Sequence, residues 1–355
     1  MAPFYEPAWA YGGMARAASG LCRALARRGC EVVVVTALLD ASHPLQENAG
    51  GVEVRRFPGP ALLRRSLLPW ARGLAAFLRG ELRGCTIAHI HGHRSGLAWT
   101  ARRALRAAGV RYVLQPHGTF PDHQQRRVAK RLFDRCAGDR IVDDAAALIA
   151  LSEAEARDLP GPSRVIANGV EPPAPTLGGG ASNARRVLFV GSDRFSRKRA
   201  DVLPRLLEAL PNTQLHLVGS YDALLTSLRH LDSRVQRSGV LSGQALADAY
   251  ASADLLVHPA VGEAFGLVPF EAALCGTAGV VAGGHGCGEW YGRAGGCVVP
   301  PDDFAALVAA VRARLSNAEL GCAEADAVAH FTRRELTWER AAEQTEGLYR
   351  ELAPA

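Results

Sequence analysis

The chain has 355 residues, 48% hydrophobic and 21% charged, which predicts two globular domains and excludes a disordered polypeptide. No apolar run of 18 residues, no basic-then-apolar start and no CxxC pair among eight cysteines is present, so the expectation is a cytosolic protein with reduced thiols and no spanning helix. The net charge of +6 is uneven: residues 1–170 carry 24 Arg and Lys against 14 Asp and Glu, and residues 171–355 carry 17 against 21. A basic first half suits an anionic membrane surface or anionic acceptor, or reflects general arginine enrichment. Dispersed arginines with no recognition module argue against nucleic acid.

The first thirteen residues, MAPFYEPAWAYGG, read as a loop. Met14–Arg28 has helical spacing through Ala17, Leu21, Ala24 and Leu25, closed by Gly29. Glu31–Thr36 is a β-branched run and predicts a strand buried on both faces. Gly12 and Gly13 therefore open a helix that leads into a parallel strand. Such a pair either lets a phosphate or sugar approach backbone N–H groups or makes a plain turn. A domain of this kind needs a strand before the glycine loop. Met1–Phe4 offers only its tail, so a central strand position is expected to stand unfilled.

Leu62–Leu82 places Trp70, Leu74, Phe77 and Leu78 on one helical face among five arginines. It reads as a basic amphipathic helix on an anionic membrane, or as a surface helix packed on a sheet. Thr86–His91 is a strand, HGHRSG a loop, and a helix runs to Ala108-Gly109. Arg111–Leu114 is a strand ending in Gln115-Pro116-His117-Gly118-Thr119. His91, His93 and His117 thus fall at strand ends, where doubly wound sheets hold ligands. No carboxylate at ligand spacing joins them, so no metal is expected. Asp122–Asp139 is a charged helix, Ala147–Leu151 a strand, Ser152-Glu153 a helix cap, and Arg164–Ala167 a strand.

The Pro/Gly-rich stretch 171–185 predicts a linker between a domain at 1–170 and one at 186–335. Val187–Val190 restarts the strand pattern, and Gly191–Lys198 follows as a loop. Lys130 and Lys198 are the only lysines beside 39 arginines. A lysine that remains fits a compact ammonium at a tight phosphate site. Further strands are expected at Leu215–Val218, Val235–Val240, Asp254–His258, Ala278–Ala282 and Gly296–Val299. Helices are expected near 201–210, 244–251, 303–315 and 335–352, and GGHGCGE at 283–289 as a loop.

Gly262–Glu271 (GEAFGLVPFE) holds two carboxylates seven residues apart around a Phe265-Gly266-Leu267 turn, with Pro269 near a helix start. A helix N-terminus suits a phosphate, and flanking carboxylates suit sugar hydroxyls. An ordinary strand-to-helix turn with solvent-facing glutamates fits the same spacing. Two α/β domains in succession predict paired Rossmann-like halves.

Through these segments the chain resembles retaining glycosyltransferases of the GT-B fold, family 4 type. The carrying stretches are GGMARAASGLCRALARRGCEVVVVT, QPHGT, ALIALSEAE, VIANGVE, RFSRKRADVL, LHLVG and GEAFGLVPFEAALCGTAGVVA. The tail from Leu336 to Tyr349 is similar to the family's final helix, expected at 336–355 to return to the first domain. The resemblance implies two Rossmann-like domains facing each other across a cleft. It implies transfer of a sugar from a nucleoside diphosphate donor to a polysaccharide, lipid-linked or other glycoconjugate acceptor. Retained anomeric configuration and independence of metal or other cofactor follow in the same way. By the same resemblance, Glu271 would bind the ribose and Glu263 the donor sugar. N–H groups around Phe265, Gly266 and Leu267 would meet the phosphates, Lys198 the diphosphate, and His117 the transferred sugar. Gly12 and Gly13 would let the first-domain loop reach the phosphates. The family's arginine after Gly191 is Ser192 here, so Arg194 or Arg197 is expected to supply that charge. A non-catalytic relative, or an epimerase or hydrolase of sugar nucleotides, is the alternative.

Overall fold

A computed structural model of the chain describes residues 1–8, 12–59, 72–120, 127–174, 185–192, 196–221 and 224–353. They form two compact units, Met1–Gly169 with Trp338–Ala355, and Val170–Thr337.

In the first unit, α1 (Gly13–Arg27) leads into β1 (Val32–Leu38), followed by β2 (Gln46–Ala49) and β3 (Val52–Pro58). Next come α2 (Leu74–Glu81), β4 (Ala88–His91), α3 (Gly96–Ala108) and β5 (Tyr112–Gln115). Then α4 (Arg127–Phe133), a π-turn and α5 (Asp139–Asp143) lead to β6 (Ala147–Ala150), α6 (Glu153–Asp158) and β7 (Ser163–Val165). The strands form sheets ordered β1-β3-β2 and β4-β5-β6-β7. Met1 and Ala2 lie between them: Ala2 N donates to Val35 O (3.0 Å), and His91 N donates to Met1 O (3.0 Å). The central position expected to stand unfilled is thus bridged by two residues. The β2–β3 pair, antiparallel, was not foreseen, because Gln46–Ala49 is polar and only half shielded.

Of the 62–82 segment, residues 62–71, with Trp70, lie outside the described ones. In α2, Leu74 and Leu78 are fully buried, with Leu82 beside them, in the core beneath β4 and β5. Those leucines are spent on the core of this unit and present no apolar face to a membrane. The described part therefore behaves as a helix packed on its own sheet.

The second unit runs β8 (Arg185–Ser192), α7 (Leu203–Ala209), β9 (Thr213–Ser220), α8 (Leu224–Ser227), β10 (Val235–Ser238) and α9 (Gly243–Ala251). It continues with β11 (Leu255–His258), α10 (Val268–Leu274), β12 (Gly279–Ala282), α11 (Gly286–Arg293), β13 (Cys297–Val299), α12 (Phe304–Ser316) and α13 (Ala318–Glu335). All six strands are parallel, in the order β10-β9-β8-β11-β12-β13. Their apolar runs are buried because helices cover both faces. One expectation is corrected here. Residues 283–289 are not all loop, since α11 starts at Gly286. A Cβ on Gly288 would stand 2.7 Å from Ala282 O, so its glycine serves close helix–strand packing and not disorder. The long helix α13 carries no strong signal in the sequence pattern.

The last helix, α14 (Trp338–Leu352), belongs to the first unit. Its Trp338, Ala341, Ala342 and Leu348 pack with Leu21 and Leu25 of α1 and Ile149 of β6.

Candidate functional site

In the second unit, consecutive strands step one way from β8 to β10, and from β11 the other way to β13. β8 and β11 are therefore neighbours at the point where the winding reverses. The crevice outside their carboxyl ends is where a doubly wound sheet takes its ligand. β8 ends at Ser192 and β11 at His258. A 3-10 turn, Ser196–Lys198, follows the first, and the GEAFGLVPFE loop follows the second. Arg194 lies outside the described residues. Val261 N donates to Arg197 O (2.7 Å), which ties the two loops together.

The geometry centres on Glu263, which is 7% exposed and so is not the solvent-facing residue of an ordinary turn. The Lys198 ammonium forms an ion pair with its Oε1. His258 Nε2 donates to its Oε2 at 3.0 Å. Burial works against the charge of Glu263, but Lys198, then His258 and Arg197, hold the carboxyl well below the usual range. His258 is itself lowered by burial, against the pull of Glu263, and stays neutral near pH 7. The cluster is therefore one ammonium, one carboxylate and one neutral imidazole.

Gly266 has φ 75°, in the left-handed region. A Cβ there would stand 2.6 Å from Cys287 Sγ and 2.7 Å from Glu263 Oε2. Glycine is needed on both counts. Phe265 turns inward and stacks on Phe270, with centroids 5.4 Å apart, so it contributes its backbone to the loop surface and its ring to the core. Leu267 is partly buried at the start of α10. Glu271, on α10, is buried and accepts a hydrogen bond from Tyr250 Oη of α9 (2.8 Å). The two glutamates thus have separate partners. The N-terminus of α11 braces the loop from behind. Cys287 N donates to Glu263 O (3.2 Å), and His285 Nε2 donates to Ala260 O (2.7 Å).

His258, Glu263 and Cys287 offer ligand atoms within 4.8 Å of one another, a candidate metal group among the described residues. The chemistry fits an ion pair better. Lys198 already meets the charge of Glu263, and burial pushes the Cys287 thiol well above its ordinary value.

In the first unit, His117 follows β5 with φ 58°, in the left-handed region. Such strain in a bulky residue persists only where the surroundings impose it. Here Gly118 N and Leu151 N both donate to the buried carboxylate of Glu155. His117 Nε2 and His91 Nδ1 share a hydrogen bond of 2.8 Å. His91 stacks on His89 at 4.2 Å, and His89 Nδ1 bonds Tyr349 Oη (2.6 Å). Burial holds His117 down to about 3 and His89 and His91 well below their ordinary value, so all three are neutral. His93 departs from this group, stacking on Phe120 and bonding Thr119 Oγ1 (2.8 Å). Gly12, φ 92°, and Gly13 begin α1.

Residues 12–172 match the family described as "Glycosyl transferase 4-like domain", and residues 184–317 match "Glycosyl transferases group 1". The D-inositol 3-phosphate glycosyltransferase of Kineococcus radiotolerans is 31% identical over 86% of this chain and 83% of its own length. The chain belongs to the group 1, family 4-type glycosyltransferases. Solved structures agree on the fold of this glycosyltransferase, which is GT-B. Sucrose-phosphate synthase from Thermosynechococcus elongatus has a TM-score of 0.77 at 23% identity, covering 96% of this chain and 94% of its own. HepE from Anabaena, solved in complex with UDP-glucose, has a TM-score of 0.72 at 17% identity and covers 96% of each chain.

Several residues of the glycosyltransferase that support the candidate site were not singled out from sequence. From sequence His258 reads only as the end of a strand, and no local pattern singles out Tyr250 or His285. Glu155 carried a usable signal: Ser152-x-x-Glu155 is a capping-box spacing, and Ser152 Oγ accepts from Glu155 N (3.0 Å).

Proposed function

We propose that this glycosyltransferase moves a sugar from a nucleoside diphosphate sugar to an acceptor with retention of anomeric configuration and without a metal. The observation that carries the reading is the ion pair of Lys198 with the buried Glu263 at the β8/β11 reversal. Breaking the bond between sugar and diphosphate builds negative charge on the leaving oxygen. A fixed ammonium and backbone donors lower that barrier, typically about a hundredfold in rate per strong donor. Lys198 and Arg197 supply charge, and the N–H groups from Phe265 to Leu267 supply donors. Glu263 accepts from hydroxyls of the donor sugar. Glu271, aimed by Tyr250, accepts from the ribose. His117 is a neutral hydrogen-bonding partner beside the transferred sugar and not a cation. Gly12 and Gly13 let the start of α1 approach the phosphates.

The acceptor class is a glycan, lipid-linked or other glycoconjugate precursor, as in polysaccharide synthesis. Work at the cytoplasmic face of an anionic membrane suits the basic first half. No described helix is long and apolar enough to cross a membrane. Inositol phosphate is included in the acceptor panel because the Kineococcus radiotolerans relative is a D-inositol 3-phosphate glycosyltransferase, and UDP-glucose in the donor panel because HepE was solved with it.

The test is turnover of a donor panel with an acceptor panel in the presence of EDTA, read by mass spectrometry and by NMR of the anomeric proton. Transfer with retained configuration is expected. Donor consumption without acceptor would point to hydrolysis or epimerisation. Binding without turnover would favour the non-catalytic reading, which Ser192 in place of the family's arginine motivates.

A further inference from the structure

We infer that His258 is a positioning residue: it holds one oxygen of Glu263 fixed so that the other can pass between Lys198 and a hydroxyl of the donor sugar. This rests on the proposed function and assigns a role within it that none of the site residues above fills.

Three fully buried apolar residues, Leu255, Leu256 and Val257, precede His258 on β11, and His258 is itself 1% exposed. A buried polar side chain in that setting needs a partner, and Glu263 Oε2 is that partner at 3.0 Å. β11 lies between β8 and β12, and His258 is in register with Val281. The imidazole therefore stands on an interior strand whose backbone is paired to β12 at His258 itself. The loop backbone is fixed too, by Cys287 N on Glu263 O and His285 Nε2 on Ala260 O.

Lys198 differs in kind. It ends a short 3-10 turn, and its side chain is 18% exposed. An ammonium on a four-carbon stem can leave one anion for another. When a diphosphate arrives, Lys198 has a second anion to meet, and Glu263 Oε1 is released to a sugar hydroxyl. Neutral His258 has no such alternative and keeps Oε2. One oxygen is anchored and the other exchanges, which orients the carboxylate before the sugar binds.

Calorimetric titration of the full chain with UDP and UDP-glucose, or with whichever diphosphate and sugar nucleotide the wild type binds, tests this. His258→Leu should leave diphosphate affinity within about twofold. It should weaken the sugar nucleotide, and raise its KM, by tenfold or more, as for loss of a hydrogen bond to a charged group. His258→Gln, whose amide reaches the Nε2 position, should recover most of that loss. His258→Asn, of the same chemistry but too short, should not, and it replaces the leucine variant if that fails to fold. Diphosphate binding reports folding in each case. Equal losses for both ligands, or sugar-nucleotide affinity unchanged in Leu and Asn variants, overturn the inference. A folded wild type that binds diphosphate but no sugar nucleotide overturns the functional reading itself, and is told apart by needing no variant.

Discussion

Replacing Gly266 by alanine probes the geometry of the candidate site with one methyl group. The residue sits at φ 75°, where an L side chain costs about 1 kcal/mol. The new Cβ would meet Cys287 Sγ at 2.6 Å, Glu263 Oε2 at 2.7 Å and Cys287 Cβ at 2.9 Å. All three are closer than carbon tolerates, and Glu263 cannot yield without losing the hydrogen bond from His258. A hydrogen bond to a charged group contributes about 2 kcal/mol. Together the substitution should cost about 3 kcal/mol, a fall in melting temperature of roughly 6–12 °C for a domain of this size. Gly243→Ala is the control. It has φ 54° but nothing within 4 Å of its Cβ, so only the conformational cost of about 1 kcal/mol applies. Thermal denaturation of the two variants, with initial transfer rates beside it, separates strain from displacement of Glu263. If Gly266→Ala melts with Gly243→Ala and transfers sugar at the wild-type rate, the assigned crowding around Glu263 is wrong.

Two further predictions concern charge. Lys198→Met leaves the Glu263 carboxylate buried beside His258 without its ammonium, and should destabilise by about 3 kcal/mol and slow transfer about a hundredfold. Adding Glu263→Gln should restore stability in urea unfolding but not transfer; an additive double variant would deny that the two act as a pair. His117 is held down to about 3 in the folded chain against an ordinary 6.5. Between those values the unfolded chain binds the extra proton, so this contribution is intact above about 6.5 and is lost as pH falls, at up to roughly 1.4 kcal/mol per unit. Urea midpoints at pH 7 and 5 should converge in His117→Asn relative to wild type, and equal pH slopes would contradict the buried neutral imidazole.

Periodicity and turn chemistry made the strands and most helices legible, because β-branched runs such as Val32–Thr36 can only be buried in a sheet covered on both faces. The Glu263 to Glu271 spacing likewise stood out. What failed to show was of two kinds. Gln46–Ala49 and α11 have weak local signals: one is polar, and the other has the glycines of a loop because Gly288 packs against β12. The partners of the candidate residues were hidden for a different reason. His258 holding Glu263, Tyr250 holding Glu271 and Glu155 holding the His117–Gly118 turn are contacts made by folding. Only Ser152-x-x-Glu155 leaves a trace in spacing. His91, noted for its place at a strand end, proves to bond His117 from a different strand, which no local pattern encodes.

The most direct test of the account is calorimetric titration of nucleoside diphosphate sugars into wild type, Glu271→Ala and Glu263→Ala. Wild type should bind at least one donor. Glu271→Ala should lose the free nucleotide and the sugar nucleotide together, and Glu263→Ala should keep the nucleotide but lose the added affinity of the sugar. Wild-type affinity for both ligands in both variants would contradict a donor site at the β8/β11 reversal.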